Sequence, residues 1–111
     1  MTREELITSC EKEIVASSID LLKDDVFGNQ YSKGFQQIYA ETLRSLNQGF
    51  RMEIIINELN TKFQFYQKAS SLLTEYQYSI TGARETSALY QGCLTACGVI
   101  LHDLGVEDVG L

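Results

Sequence analysis

The side chains best suited to metal binding or nucleophilic catalysis lie near the C-terminus, where Cys93, Cys97 and His102 follow one another. Cys93 and Cys97 share a helix face, but their spacing is not the two-residue gap of a zinc knuckle. His102 lies five residues beyond Cys97, about 140° further around a helix, and points away from the thiols. We therefore expect two small buried thiols here, with no metal site and no cofactor.

A second combination that could do chemistry is His102 with Asp103, as a base and the acid that orients it. Adjacent residues on a helix diverge by about 100°, so these two side chains cannot act as one unit. Phosphate-binding loops, a serine nucleophile elbow and paired Glu-x-x-His ligands are all missing from the sequence. His102 is the only histidine. The sequence therefore predicts a protein that is not an enzyme.

The charge of the chain is concentrated at its two ends. The net charge is -6, of which residues 1–25 carry -4 and the last ten residues -3, while the middle of the chain carries +1. If the ends meet in the fold, they form one acidic patch that could dock on a basic protein surface. The patch could also serve only as a solvated surface. The six residues assigned to it are Glu4, Glu11, Asp24, Asp25, Glu107 and Asp108.

The composition excludes several classes of protein. A chain of 111 residues is long enough for one domain with its own core, which we place at 1–105 with a short acidic tail at 106–111. No run of 18 apolar residues is present, and the N-terminus lacks the pattern of a secretory signal. The three cysteines are too few and odd in number for a disulfide framework. We therefore expect a cytoplasmic protein without a membrane partner.

The elements that must position these residues are helices, because the chain contains no proline and shows helical periodicity throughout. Thr2 and Glu5 have capping-box spacing ahead of a predicted first helix over about 3–25, which Gly28-Asn29 would end. Its predicted buried stripe comprises Leu6, Ile7, Cys10, Ile14, Val15, Ile19, Leu21 and Leu22. The second predicted helix runs from Tyr31 to Leu46 and ends at Asn47-Gln48-Gly49.

The third predicted helix carries the strongest pattern in the chain, a seven-residue apolar repeat. The repeat consists of Met52, Leu59, Tyr66, Leu73 and Ile80. A straight helix over about 51–80 would be about 45 Å long, more than the roughly 34 Å diameter of a compact domain of this size. We therefore expect it either to bend near Asn60-Thr61 or to pack its end on another copy. A fourth helix is predicted from Arg84 to His102.

Small residues recur every four positions on the fourth predicted helix, at Ala88, Gly92 and Ala96. Such a row lets another helix backbone approach closely, and we assign it to self-association in a homodimer. The predicted fold is therefore an all-α bundle of about four helices, with one long central helix over about 51–80.

Two aromatic residues, Phe65 and Tyr78, fall off the main apolar stripe of the third helix. Exposed aromatic residues are enriched in protein interfaces, so we assign both to partner binding. With the acidic ends, they favour a small non-catalytic regulator or inhibitor that occupies a partner's surface, for example a basic nucleic-acid-binding cleft.

Two alternatives from other classes remain. The first is a small-molecule or lipid receptor with an apolar pocket between helices three and four, where Gly92 and Ala96 leave room beside Tyr66 and Tyr90. The second is a helix-turn-helix DNA-binding regulator, although an acidic chain is a poor nucleic-acid binder by default. Its contact residues would be Arg44, Arg51, Lys62 and Lys68.

Overall fold

The computed structural model describes residues 1–22, 26–76 and 82–106, which form four α-helices and no strand. Helix α1 spans Arg3–Asp20, α2 spans Val26–Asn47, α3 spans Met52–Tyr76 and α4 spans Ala83–Asp103. The all-α bundle predicted from the sequence is confirmed. In the described part of the chain, no helix is long and apolar enough to cross a membrane.

The helix ends follow from local capping interactions. Thr2 accepts a hydrogen bond from the Glu5 backbone N–H, and the Glu5 carboxylate accepts one from the Thr2 N–H, so the predicted capping box is present. Gly49 and Gly105 adopt left-handed conformations just after α2 and α4. In both places the next residue donates its N–H to a carbonyl five positions earlier, which is the Schellman pattern. The predicted ends of these two helices are confirmed.

The connection between α1 and α2 differs from the prediction. Helix α1 ends at Asp20, and α2 has already begun at Val26, so Gly28 and Asn29 lie inside α2 instead of ending α1. Gly28 lies in the first turn of α2, where the backbone N–H groups have no intrahelical partner. A glycine there disturbs few of the helix hydrogen bonds. A glycine-asparagine pair therefore did not identify a helix end here.

The helices pack in the spatial order α1, α2, α4, α3. Helices α2 and α4 are the inner pair, and α4 contributes more buried residues than any other helix in the described part of the chain. The predicted central helix, α3, lies at one end of this order. The 25 described residues of α3 are about 37 Å long at 1.5 Å per residue. They fit within the 44 Å long axis of the molecule, and residues 77–80 of the predicted helix lie outside the described residues.

The core lies where α4 meets its neighbours. The seven-residue repeat of α3 faces this core: Leu59 and Ile55 are buried, and Met52 and Tyr66 pack against the cluster. Leu6 and Cys10 of α1 join the same cluster from the far side of α2. Ile80, the last member of the repeat, lies outside the described residues.

The contact between α2 and α4 is made by backbone, because a glycine of each helix faces the other. A Cβ atom built on Gly34 would lie 2.0 Å from the Leu89 carbonyl oxygen, and one built on Gly92 would lie 1.9 Å from the Tyr31 carbonyl oxygen. No real side chain tolerates such a distance to backbone. The close packing of these two helices therefore requires glycine at both positions.

Replacing Gly92 by alanine should destabilise the fold, although alanine is the better helix former. The new methyl group must push α2 and α4 apart, so we expect the free energy of unfolding to fall by about 3 kcal/mol. Urea denaturation followed by circular dichroism measures this change. Gln91→Ala, at an exposed neighbouring position, should stay within about 0.5 kcal/mol of the original chain. A Gly92→Ala variant as stable as the Gln91→Ala control would contradict the packing described here.

Candidate functional site

The three thiols are buried and spread over the core. Burial raises the pKa of Cys10 to about 11 and that of Cys97 to about 12, and it also raises the pKa of Cys93. The Cys93 thiol is hydrogen bonded to the Tyr66 hydroxyl, while His102 lies exposed in the last turn of α4. Within the described residues, no group of three His, Cys, Asp or Glu side chains could hold a metal ion. These thiols behave as small apolar side chains at neutral pH.

The largest departure from a normal protein surface lies on α1. Val15 is 66% exposed, Ile19 62% and Leu22, just past the helix end, 84%. At 100° per residue, Val15 lies about 180° around the helix from Leu6, which is buried against the core. The prediction that these three residues belong to the buried stripe is wrong. Their positions four and three residues apart place them in a row on the side of α1 that faces away from the bundle.

Two of the predicted acidic-patch residues lie on this same side of α1. Glu4 and Glu11 are both exposed, and each lies within about 40° of Val15 around the helix axis. We call the five residues Glu4, Glu11, Val15, Ile19 and Leu22 the outer face of α1. It is acidic in its N-terminal half and apolar in its C-terminal half. The other four residues assigned to the patch, Asp24, Asp25, Glu107 and Asp108, lie outside the described residues.

Polar contacts with α2 and the turn that follows it hold α1 in place. The Arg3 guanidinium donates hydrogen bonds to the Leu46 and Phe50 carbonyl oxygens, where α2 ends, so its positive charge lies at the negative end of the α2 dipole. Further along, the Gln36 side-chain amide donates to the Ile14 carbonyl oxygen at 3.0 Å and to the Ser18 hydroxyl at 2.7 Å. These contacts and the burial of Leu6 fix the rotation of α1, which keeps the outer face directed to solvent.

A second, more dispersed set of exposed apolar side chains lies on α3. Ile54, Phe65 and Leu72 share one side of the helix and are 37%, 58% and 52% exposed. The Phe65 ring is anchored at one edge, with its centroid 5.2 Å from Tyr66 and 6.3 Å from Tyr90. Tyr78, which was predicted to act with Phe65, lies outside the described residues.

The row of small residues on α4 is used inside the chain. Gly92 and Ala96 are buried, Gly92 lies against the backbone of α2, and Ala88 is half-buried. The row does permit a close backbone approach, but the approaching helix is α2 of the same chain. A second copy could reach this row only by displacing α2. The row is therefore not available as a dimer surface, and the homodimer itself stays a prediction.

The residues proposed for the two alternative functions have other contacts. Tyr66 and Tyr90 lie 5.4 Å apart, centroid to centroid, and the space beside Gly92 is filled by the backbone of α2. Of the four basic residues considered for DNA contact, Lys62 forms an ion pair of 2.7 Å with Glu41, and Arg51 one of 3.1 Å with Glu53. Arg44 and Lys68 are exposed.

Comparisons of the chain with protein-family models, with curated proteins and with solved structures gave no match.

The outer face of α1 was not predicted as a whole. The signal was present in the spacing, because Val15 lies opposite Leu6 on a helix and a single buried stripe cannot include both. A helix with apolar residues on two opposite sides leaves one of them exposed when only one neighbour in the fold covers it. The structure provides α2 for the inner side.

The burial of the thiols predicts slow alkylation of the native chain. With iodoacetamide at pH 8, we expect Cys10 and Cys97 to react at least about 100-fold more slowly than in urea, because a pKa two units higher leaves a hundredth of the thiolate. Mass spectrometry of the alkylated peptides measures the rates. Rapid native labelling of either residue would show an accessible, reactive thiol and would reopen thiol chemistry as a function.

Proposed function

We propose that this chain is a non-catalytic protein-binding regulator that acts by occupying a partner's surface with the outer face of α1. The observation that carries the proposal is the exposure of Val15, Ile19 and Leu22, each more than 60% accessible in one row. Exposed branched apolar side chains cost free energy in water, roughly 25 cal/mol for each Å² left uncovered. Contiguous exposed apolar surface of this kind is typical of interaction sites.

The buried thiols support a non-catalytic role. Their raised pKa values keep them protonated and unreactive at neutral pH. The aromatic side chain of Phe65 on α3 supplies a second exposed apolar site, but its neighbours on that side are separated by polar residues such as Thr61 and Lys68. The outer face of α1 is therefore the stronger candidate for the main contact.

A capture experiment with two matched double variants tests the proposal. The tagged full-length chain, Val15→Ser/Ile19→Ser and the control Ile54→Ser/Leu72→Ser are each incubated with nuclease-treated native lysate. We expect the original chain and the α3 control to retain the same stoichiometric protein, and the α1 variant to retain less than about a tenth of it, because an interface loses roughly tenfold in affinity for each 1.4 kcal/mol. Quantitative mass spectrometry measures the bound protein.

All four substituted residues are exposed in the bundle, so both variants should keep the helical circular dichroism spectrum and nearly the same melting temperature. Equal retention by the original chain and the α1 variant would contradict the proposal. Loss only in the α3 variant would move the contact to the side of α3 that carries Phe65.

A further inference from the structure

The outer face of α1 has two chemically different halves. Glu4 and Glu11 are about 10 Å apart along the helix, and Val15 to Leu22 extends about another 10 Å, so the whole face is about 27 Å long. Within the described residues, neither carboxylate takes part in an ion pair. A helix of about 18 residues would cover the face from end to end.

A second copy of the chain does not complement this face. Two outer faces laid parallel would place Glu4 opposite Glu4 and Glu11 opposite Glu11, which opposes like charges. Laid antiparallel with full overlap, they would place Glu4 opposite Leu22 and Glu11 opposite Val15, which buries carboxylates against apolar side chains. The parallel arrangement opposes like charges in the acidic half, and the antiparallel arrangement with full overlap satisfies neither half, so a second copy does not complement the whole length of the face.

A helix with the opposite pattern satisfies both halves. Apolar residues would cover Val15, Ile19 and Leu22, and lysine or arginine residues would lie beside Glu4 and Glu11. Basic residues are favoured near the C-terminal end of a helix by its dipole, and antiparallel neighbours place that end beside the N-terminal half of α1. The charges and the apolar side chains of the outer face determine which half of the partner helix is basic, and the dipole favours the antiparallel orientation.

We infer that the occupant of the outer face of α1 is an amphipathic helix of a partner protein, antiparallel to α1, apolar in its N-terminal half and basic in its C-terminal half. This inference rests on the proposed function, since it names the class of partner for the same surface. It also gives the acidic N-terminal charge a binding role, as the determinant of partner choice and orientation.

The test selects partner helices without assuming a sequence. A phage-displayed library of 20-residue helical peptides, randomised along one side, is selected against the full-length chain. We expect the enriched peptides to carry apolar residues in the N-terminal half and lysine or arginine in the C-terminal half. The same selection against Glu4→Lys/Glu11→Lys should enrich aspartate or glutamate at those C-terminal positions.

The affinities of the enriched peptides then show how much Glu4 and Glu11 contribute to binding. A synthetic peptide selected by the original chain should bind Glu4→Lys/Glu11→Lys at least about tenfold more weakly, a loss of about 1.4 kcal/mol. It should bind the control Glu53→Lys/Glu85→Lys, which carries the same change in net charge on α3 and α4, as it binds the original chain. Fluorescence anisotropy at two salt concentrations measures both, and binding should weaken as salt rises.

Each contrary outcome has its own meaning. Enriched peptides that need Val15 and Ile19 but show no basic preference, or that keep full affinity for Glu4→Lys/Glu11→Lys, would overturn the inference and leave the proposed function in place. A library that yields no binder sensitive to Val15→Ser/Ile19→Ser would overturn the inference of a helical partner, whereas the proposed function is overturned by equal capture with the original chain and the α1 variant. A dimer in sedimentation, or binding to phosphatidylcholine vesicles, that Val15→Ser/Ile19→Ser abolishes would identify a second copy or a lipid surface as the occupant and would also overturn the inference.

Discussion

The backbone contact between α2 and α4, in which Gly34 faces Leu89 and Gly92 faces Tyr31, is the constraint on which the rest of the structure depends. A Cβ atom on Gly34 would lie 2.0 Å from a carbonyl oxygen of the opposite helix and one on Gly92 1.9 Å, so α2 and α4 pack closer than side chains permit. Helix α4 is thereby covered by α2 on one side and by α3 on another, and its interior residues form the core together with buried residues of the other three helices. Helix α1 is left to pack on α2 at the edge of the bundle, with one side covered and one side exposed.

Polar interactions then determine how that exposed side is presented. Arg3 binds the carbonyl groups at the end of α2, and Gln36 binds the backbone of α1 near Ile14. Neither contact involves a residue of the outer face, so they orient the helix and leave that face free of contacts with α2. The result is a surface, acidic at one end and apolar at the other, that these contacts hold in one orientation; such preorganisation would reduce the conformational cost of binding the proposed partner helix.

Much of the fold could be predicted because its signals are local: the capping box at Thr2, the glycine-ended helices α2 and α4, and the seven-residue repeat of α3. The predictions that were wrong concern which neighbour packs against each side of a helix. Periodicity placed Val15 and Leu6 in one broad stripe, since an apolar pattern does not show how many sides of a helix are covered. The row at Gly92 predicted a close helix approach, but α2 and a second copy satisfy that pattern equally well in the sequence.

The most direct measurement of the central claim is a methyl NMR titration of the full-length chain with its captured partner or a selected peptide. The account predicts that the methyl resonances of Val15, Ile19 and Leu22 shift, while those of Ile54 and Leu72 on α3 and of Ile38 and Ile100 in the core stay in place. Shifts confined to Ile54 and Leu72, with the three methyl-bearing residues of the outer face unchanged, would contradict it.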